Sequence, residues 1–122
     1  MKYILGVCAA IWLCCGSVRA EVPVREIVGG DWIYPNGQQM VEYYPVAAIA
    51  SGRGGRATLD CTFHQDGTIM ACKILEETPA GYGFGMATKA AFVKYVHVAP
   101  ASVKDGLREG DHKLFVYNWV LN

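Results

Sequence analysis

Two cysteines in the middle of the chain are the residues best spaced for chemistry. Cys61 and Cys72 begin and end the stretch CTFHQDGTIMAC, with ten residues between them. A zinc site needs about four ligands, usually with two to four residues between paired cysteines, and a redox pair is usually C-x-x-C. The sequence contains neither spacing. A structural disulfide is therefore the favoured interpretation, and metal binding and redox catalysis are the alternatives.

Residues for acid–base or nucleophilic catalysis are present but scattered. His64, His97 and His112 share no metal-binding spacing such as H-E-x-x-H, and the chain has no G-x-S-x-G motif. The stretches GRGG and GYGFG lack the spacing of nucleotide-binding loops. We therefore predict no catalytic residue, no metal site and no cofactor. The enzymatic alternative requires a pocket in which four side chains converge: Asp60, His64, Glu76 and His97.

A predicted hairpin positions the two cysteines. Asp66-Gly67 is a strong signal for a two-residue turn, and the segments on either side alternate as strands do. Such a turn gives three cross-strand pairs on one apolar face: Leu59–Ile74, Cys61–Cys72 and Phe63–Met70. We expect this face to be buried. The cysteines then occupy a hydrogen-bonded pair, so a bulge or a longer turn is the alternative geometry.

A helix and a final strand are predicted after the hairpin. The alanine-rich segment FGMATKAAFVKYV has a helical stripe made of Phe84, Ala87, Ala91 and Tyr95. The last stretch, HKLFVYNWVLN, is β-branched and aromatic, which is typical of a strand. Its first face holds Phe115, Tyr117, Trp119 and Leu121, and its second holds Leu114, Val116, Asn118 and Val120. The predicted fold class is α+β: a small three-stranded antiparallel sheet with one packed helix.

The first 20 residues, MKYILGVCAAIWLCCGSVRA, predict export. One Lys precedes an apolar run that is too short to span a membrane, and small residues follow, so we expect cleavage between Ala20 and Glu21. A retained anchor and a lipoprotein signal are the alternatives. Residues 21–43, rich in Pro and Gly, predict an irregular lead-in with one helical turn near residues 38–43. PVAAIASG predicts a short helix after Pro45, and residues 44–122 form the predicted domain.

Charge and compartment restrict the partners. Without the signal, nine basic and eleven acidic residues remain, a balance that does not favour nucleic acid or an anionic membrane surface. We expect no stable membrane span after cleavage. The predicted location is the periplasm, which is oxidising and in which a cysteine pair normally closes.

The order and spacing of these motifs resemble the carboxy-terminal domain of TonB, the periplasmic energy transducer. The resemblance covers residues 32 to 121 and rests on Trp32, Pro35, Tyr44-Pro45, Ala48, Gly55, Asp66-Gly67, Glu77, Pro79, Phe84-Gly85, Pro100, Gly106 and the aromatic last strand. Some TonB-like domains carry a cysteine on each hairpin strand, where Cys61 and Cys72 stand. The resemblance implies a TonB/TolA C-terminal-like fold, in agreement with the α+β prediction.

The resemblance also implies a function, in which a short partner segment is gripped as an added strand. The receiving strand would consist of Leu114, Phe115, Val116, Tyr117, Asn118, Trp119 and Val120. The implied partner is an envelope protein or peptide, such as an outer-membrane receptor, and a homodimer stays open. The chain shows no match to TonB's coupling motif or Pro-rich spacer, so we expect a binding domain without energy transduction. The alternative is a small secreted envelope factor with a structural or enzymatic role.

Overall fold

The structure, a computed structural model, describes residues 24–121. Its elements in chain order are β1 (Trp32–Ile33), α1 (Gly37–Val41), α2 (Val46–Ala50), β2 (Gly55–Phe63), β3 (Ile69–Thr78), α3 (Phe84–Tyr95), β4 (His97–Val98), a 3-10 turn (Pro100–Ser102) and β5 (His112–Trp119). The predicted signal peptide and its cleavage between Ala20 and Glu21 lie outside the described residues. None of the helices between residues 24 and 121 is long and apolar enough to cross a membrane.

The main sheet has three antiparallel strands in the order β3-β2-β5, and α3 packs against β2 and β3. A second, two-stranded sheet joins β1 to β4. The α+β prediction of a three-stranded antiparallel sheet with one packed helix is therefore confirmed. β2 lies in the centre, so β3 and β5 are both edge strands.

The core lies between α3 and one face of this sheet. Every second residue of β2 is buried, as its alternating pattern predicts: Ala57, Leu59, Cys61 and Phe63. The predicted helical stripe is partly correct, because Phe84 and Ala91 are buried but Ala87 and Tyr95 are only half-buried. Thr88 and Phe92 are buried instead. The face of α3 that contacts the sheet is thus rotated towards its two phenylalanines.

The hairpin turn has one more residue than the Asp66-Gly67 pair predicts. His64 donates its N–H to the Thr68 carbonyl at 2.8 Å, and Gly67 donates to the His64 carbonyl at 2.9 Å. These bonds enclose a three-residue loop, residues 65–67, with Gly67 at φ 96°. A turn followed by a left-handed Gly is a common way to close such a loop. The predicted two-residue turn is therefore wrong, although both predicted residues lie in the loop.

A bulge in β3 compensates for the longer turn. Phe63 pairs with Ile69 and Thr62 pairs with Ala71, which leaves Met70 without a partner in β2. Met70 is 40% exposed, so the prediction that it faces the core opposite Phe63 is wrong. The extra loop residue and the extra strand residue offset each other. From Thr62 to Leu59 the register is the predicted one, and it shifts again by one residue at Leu75.

The predicted disulfide between Cys61 and Cys72 is present. The two Cα atoms are 4.0 Å apart, which is closer to the spacing of about 4.5 Å in a non-hydrogen-bonded pair than to about 5.5 Å in a hydrogen-bonded one. The three-residue loop and the bulge at Met70 together produce this geometry, since they change which cross-strand pairs are hydrogen-bonded. The cysteines therefore do not occupy the hydrogen-bonded pair that a two-residue turn would give. The alternative geometry, a bulge with a longer turn, is the one observed.

The lead-in is more structured than predicted. α1 begins after an Asn36 capping box and overlaps the helical turn predicted near residues 38–43, and α2 begins after Pro45 as predicted. The unpredicted part is β1, in which Trp32 pairs with Val98 of β4. The Val98 N–H in turn donates to the Gly67 carbonyl at 3.0 Å. The lead-in, β4 and the hairpin turn are therefore joined in one layer.

Candidate functional site along the edge of β5

β5 presents an open backbone edge on the side away from β2. At its first residue, His112 donates its N–H to the Arg25 carbonyl at 2.9 Å, and its carbonyl accepts the Ile27 N–H at 2.8 Å. Bonding direction alternates along an antiparallel strand, and the β2–β5 register has no shift. The N–H and C=O groups of Leu114, Val116 and Asn118 therefore point the same way as those of His112. No described strand pairs with them.

Two grooves follow this edge on the helix side of the sheet. The first has a volume of about 340 Å³, and its lining is Tyr34, Pro35, Phe92, Lys113, Leu114, Phe115, Val116 and Tyr117. The second has a volume of about 430 Å³, and its lining is Gly37, Met40, Val41, Tyr44, Tyr117, Asn118, Trp119 and Val120. Tyr117 lines both. The lead-in and α1 form the far wall, so an extended segment laid along β5 would have side-chain space beneath it.

The groove floor is made of closely packed aromatic side chains. Phe115 packs edge-on against Trp32 at 5.8 Å and against Phe92 at 5.3 Å between ring centres. Tyr117 packs edge-on against Trp119 at 5.0 Å. Edge-to-face pairs at these distances are favourable beyond the area they bury. Since Phe115 and Trp119 are buried, the backbone of β5 is held in place from one face.

The grooves contain one charged side chain, Lys113. Its ammonium nitrogen lies 5.4 Å from the ring centre of Trp32 and 5.9 Å from that of Phe115, within cation–π range. No described carboxylate forms an ion pair with it. Burial raises the pKa of Tyr34 and of Tyr117, so both phenols stay neutral and keep an O–H donor.

The other edge of the sheet is much less suited to strand addition. β3 has two irregularities in its pairing with β2, at Met70 and at Leu75, which has no partner between Ile74 and Glu76. Bulges of this kind twist an edge and interrupt its ladder, and charged residues such as Lys73 discourage a neighbouring strand. β5 pairs with β2 without a shift and has apolar Leu114 and Val116 on its exposed face. The two edges therefore differ in their capacity to accept a partner.

The predicted face assignment of β5 agrees with the structure. Phe115 and Trp119 are buried and Tyr117 is half-buried, while Leu114, Val116 and Asn118 are exposed. β5 ends at Trp119, so Val120 lies beyond the strand although it still lines the second groove. Leu121, assigned to the inner face, is exposed for the same reason.

The four side chains required by the enzymatic alternative do not converge in one pocket: three of them contact different residues, and the fourth is exposed. Their closest polar contacts are Asp60 with His112 at 2.8 Å, His64 with Glu109 at 2.8 Å, and Glu76 with Arg56 at 3.8 Å. His97 is exposed in β4. Over residues 24–121, no group of three or more His, Cys, Asp or Glu side chains is arranged to hold a metal ion.

The sequence prediction missed one wall of the site. Tyr34, Pro35, Gly37 and Val41 belong to the lead-in, which has no helical or strand period, yet they face β5 across the grooves. The density of aromatic residues in the lead-in was the available signal, since an unstructured tail is poor in them. Only tertiary contacts such as Trp32 against Phe115 show which strand the lead-in packs against.

The fold and the site together define a small disulfide-bonded α+β domain with one open, groove-lined strand edge. No family model matches this chain, and no curated protein matches it.

Proposed function

We propose that this protein is an exported interaction domain that binds an extended segment of a partner protein along the outer edge of β5. The observation that carries the proposal is the open edge at Leu114, Val116 and Asn118, with a groove beside each end of it. Strand addition uses this combination: main-chain hydrogen bonds supply affinity, and pockets for alternate side chains supply specificity.

Several finer parts of the proposal rest on the sequence. The disulfide is compatible with an oxidising location outside the cytoplasm, which supports the periplasm as the site of action. The TonB-like order of motifs supports an envelope protein as the partner, with an outer-membrane transport protein as the first candidate. The domain would bind without transducing energy itself. It would contribute recognition, and its stability would come from the packed helix and the disulfide.

Proline substitution separates backbone recognition from side-chain recognition. Val116→Pro removes an outward N–H from an edge strand, where Pro is tolerated, so we expect a folded protein that loses its partner. Val116→Ala keeps the N–H and should lose little. Tyr117→Pro is not an informative variant, because the Tyr117 N–H points into the ladder with Ala57 and its loss would damage the sheet.

Each variant is tested for its ability to capture a partner from an envelope extract. Amide hydrogen exchange is then measured on the complex. Strand addition predicts slowed exchange at Leu114, Val116 and Asn118, because each gains a hydrogen-bonded partner. Circular dichroism checks that each variant is folded. Equal binding by folded Val116→Pro and Val116→Ala, with unchanged exchange at the three amides, would contradict the proposal.

A further inference from the structure

The open edge of β5 is closed at one end by the protein's own chain. Glu26 forms a parallel bridge with His112 on the outer side of β5, so the lead-in occupies the place of a fourth strand at that point. Arg25 anchors it: its guanidinium donates to the two carboxylate oxygens of Asp111 at 3.2 and 2.8 Å. An added strand that runs along Leu114 to Asn118 therefore cannot continue past His112.

The closed end carries the single charge of the grooves. Lys113 follows His112 directly, and its side chain lines the first groove. The remaining lining residues of both grooves are uncharged. A bound segment would cover this ammonium and strip water from it, which is unfavourable unless the segment brings a negative charge to the same place.

The blocked edge at His112 and the charge of Lys113 together favour one end of a bound peptide at this position. A segment parallel to β5 would begin beside Lys113 and, if it began there with a free terminus, would place an ammonium against an ammonium. An antiparallel segment would end beside Lys113, where a terminal carboxylate is attracted and where the chain has to stop. Charge and the blocked edge therefore favour the same arrangement.

We propose that the β5 groove binds the free C-terminal segment of a partner protein, antiparallel to β5, with its terminal carboxylate at Lys113 and the Leu114 N–H. The inference deepens the proposed function and rests on it. It names the kind of partner: a protein whose extended tail ends in a free carboxylate. Charge-assisted hydrogen bonds to a carboxylate are about twice as strong as neutral ones, so the terminus would make the largest single polar contact.

The antiparallel register proposed for the tail along β5 also predicts which of its side chains enter the grooves. With the last residue opposite Leu114, the second, fourth and sixth residues from the end lie opposite Phe115, Tyr117 and Trp119. The second residue then enters the first groove and the sixth enters the second, while the fourth lies on the Tyr117 ring between them. We expect bulky apolar residues at the second and sixth positions and a small residue at the fourth.

Two peptide libraries test the inference. Both display random segments of about seven residues, the length of an ordinary strand; one ends in a free carboxylate and the other continues into a Gly-Ser linker. The oxidised protein should enrich the free-carboxylate library. For an enriched peptide measured by fluorescence polarisation, C-terminal amidation should weaken binding about tenfold or more.

Variants of Lys113 test whether its ammonium causes the difference in binding between acid and amide peptides. Lys113→Met keeps an unbranched apolar stem, so it should remove most of the difference between acid and amide peptides, and Lys113→Arg should restore it. Val116→Pro should abolish binding of both. Equal enrichment of the two libraries, with binding still lost in Val116→Pro, overturns the C-terminal inference and leaves strand addition intact. No enrichment from either library, or peptides insensitive to Val116→Pro, overturns both.

Discussion

Trp119 donates its indole N–H to the hydroxyl of Thr88 at 2.8 Å, and this bond joins the end of β5 to the middle of α3. Thr88 donates in turn to the Phe84 carbonyl at 2.7 Å. Both side chains are buried, so neither the indole nor the hydroxyl can exchange its partner for water. The second groove has Trp119 in its wall, and this bond therefore helps to hold the shape of the candidate site.

Thr88→Val should destabilise the domain because the indole N–H of Trp119 would be buried without an acceptor. The expected loss is about 1–3 kcal/mol in the free energy of unfolding. Thr88→Ser keeps the hydroxyl and serves as the control, with a smaller loss. Urea denaturation followed by circular dichroism measures both, and equal losses would show that the hydrogen bond does not matter.

Glu77→Ala should weaken the start of α3. The residue before the helix, Gly83, has no side chain with which to cap it, and the Glu77 carboxylate accepts the Gly85 N–H at 2.8 Å instead. We expect a loss of about 1 kcal/mol, as for other helix caps. Glu76→Ala is the matched control, because Glu76 makes only an exposed pair with Arg56 at 3.8 Å and should change stability little. Similar unfolding midpoints for the two variants would contradict the capping role.

Gly67→Ala should destabilise the domain more than Gly106→Ala. Both glycines have positive φ, 96° and 78°, so each substitution strains the backbone by about 1–2 kcal/mol. A Cβ at Gly67 would also collide with the Val98 carbonyl oxygen, whereas a Cβ at Gly106 meets open space. Thermal denaturation compares the two, and an equal fall in Tm would mean that contact between the turn and β4 is unimportant.

Loss of the disulfide should cost a large part of the stability of this small domain. Closing a loop of this size stabilises by about 3 kcal/mol in the chain-entropy description. The double variant Cys61→Ala/Cys72→Ala should therefore unfold at lower denaturant concentration, and reductant should destabilise the parent protein but not the variant. Detection of free thiols at both positions in the folded protein, purified without reductant, would rule the disulfide out.

Acid should weaken the anchor of the lead-in at Asp111. Burial raises the pKa of this carboxyl, but hydrogen bonds from Arg25 and from the Arg108 N–H outweigh it, so the pKa lies below its usual 3.8. A lowered pKa in the folded state contributes stability that is present above pH 3.8 and is lost as pH falls through the folded value. Asp111→Asn should therefore reduce stability near neutral pH and flatten its decline below about pH 4.

The control for this pH prediction is Asp31→Asn, which removes the same charge from an exposed residue whose side chain makes no described hydrogen bond. Its stability should follow the acid decline of the parent protein. Tm measured between pH 3 and pH 7 distinguishes the variants. A parent-like decline in Asp111→Asn would show that this carboxylate does not couple acid to stability.

Much of this protein was predictable from its sequence because its local signals are strong. The alternation of β2 determined that Leu59, Cys61 and Phe63 face the core, and that of the last strand determined that Phe115 and Trp119 do. A one-residue shift would have exposed each apolar set, so hydrophobic burial selects the register. The disulfide and the α+β class follow from the same patterns.

Only the tertiary structure shows the grooves beside β5 and the closed end of its edge. A sequence does not show that a three-residue turn and the bulge at Met70 offset each other, since only the whole ladder determines where an extra residue is absorbed. It also does not show that the lead-in, without any period, forms the far wall of the grooves and blocks the edge at His112. These contacts join residues far apart in the chain. They form because packing the whole chain buries aromatic surface that no local segment can bury by itself.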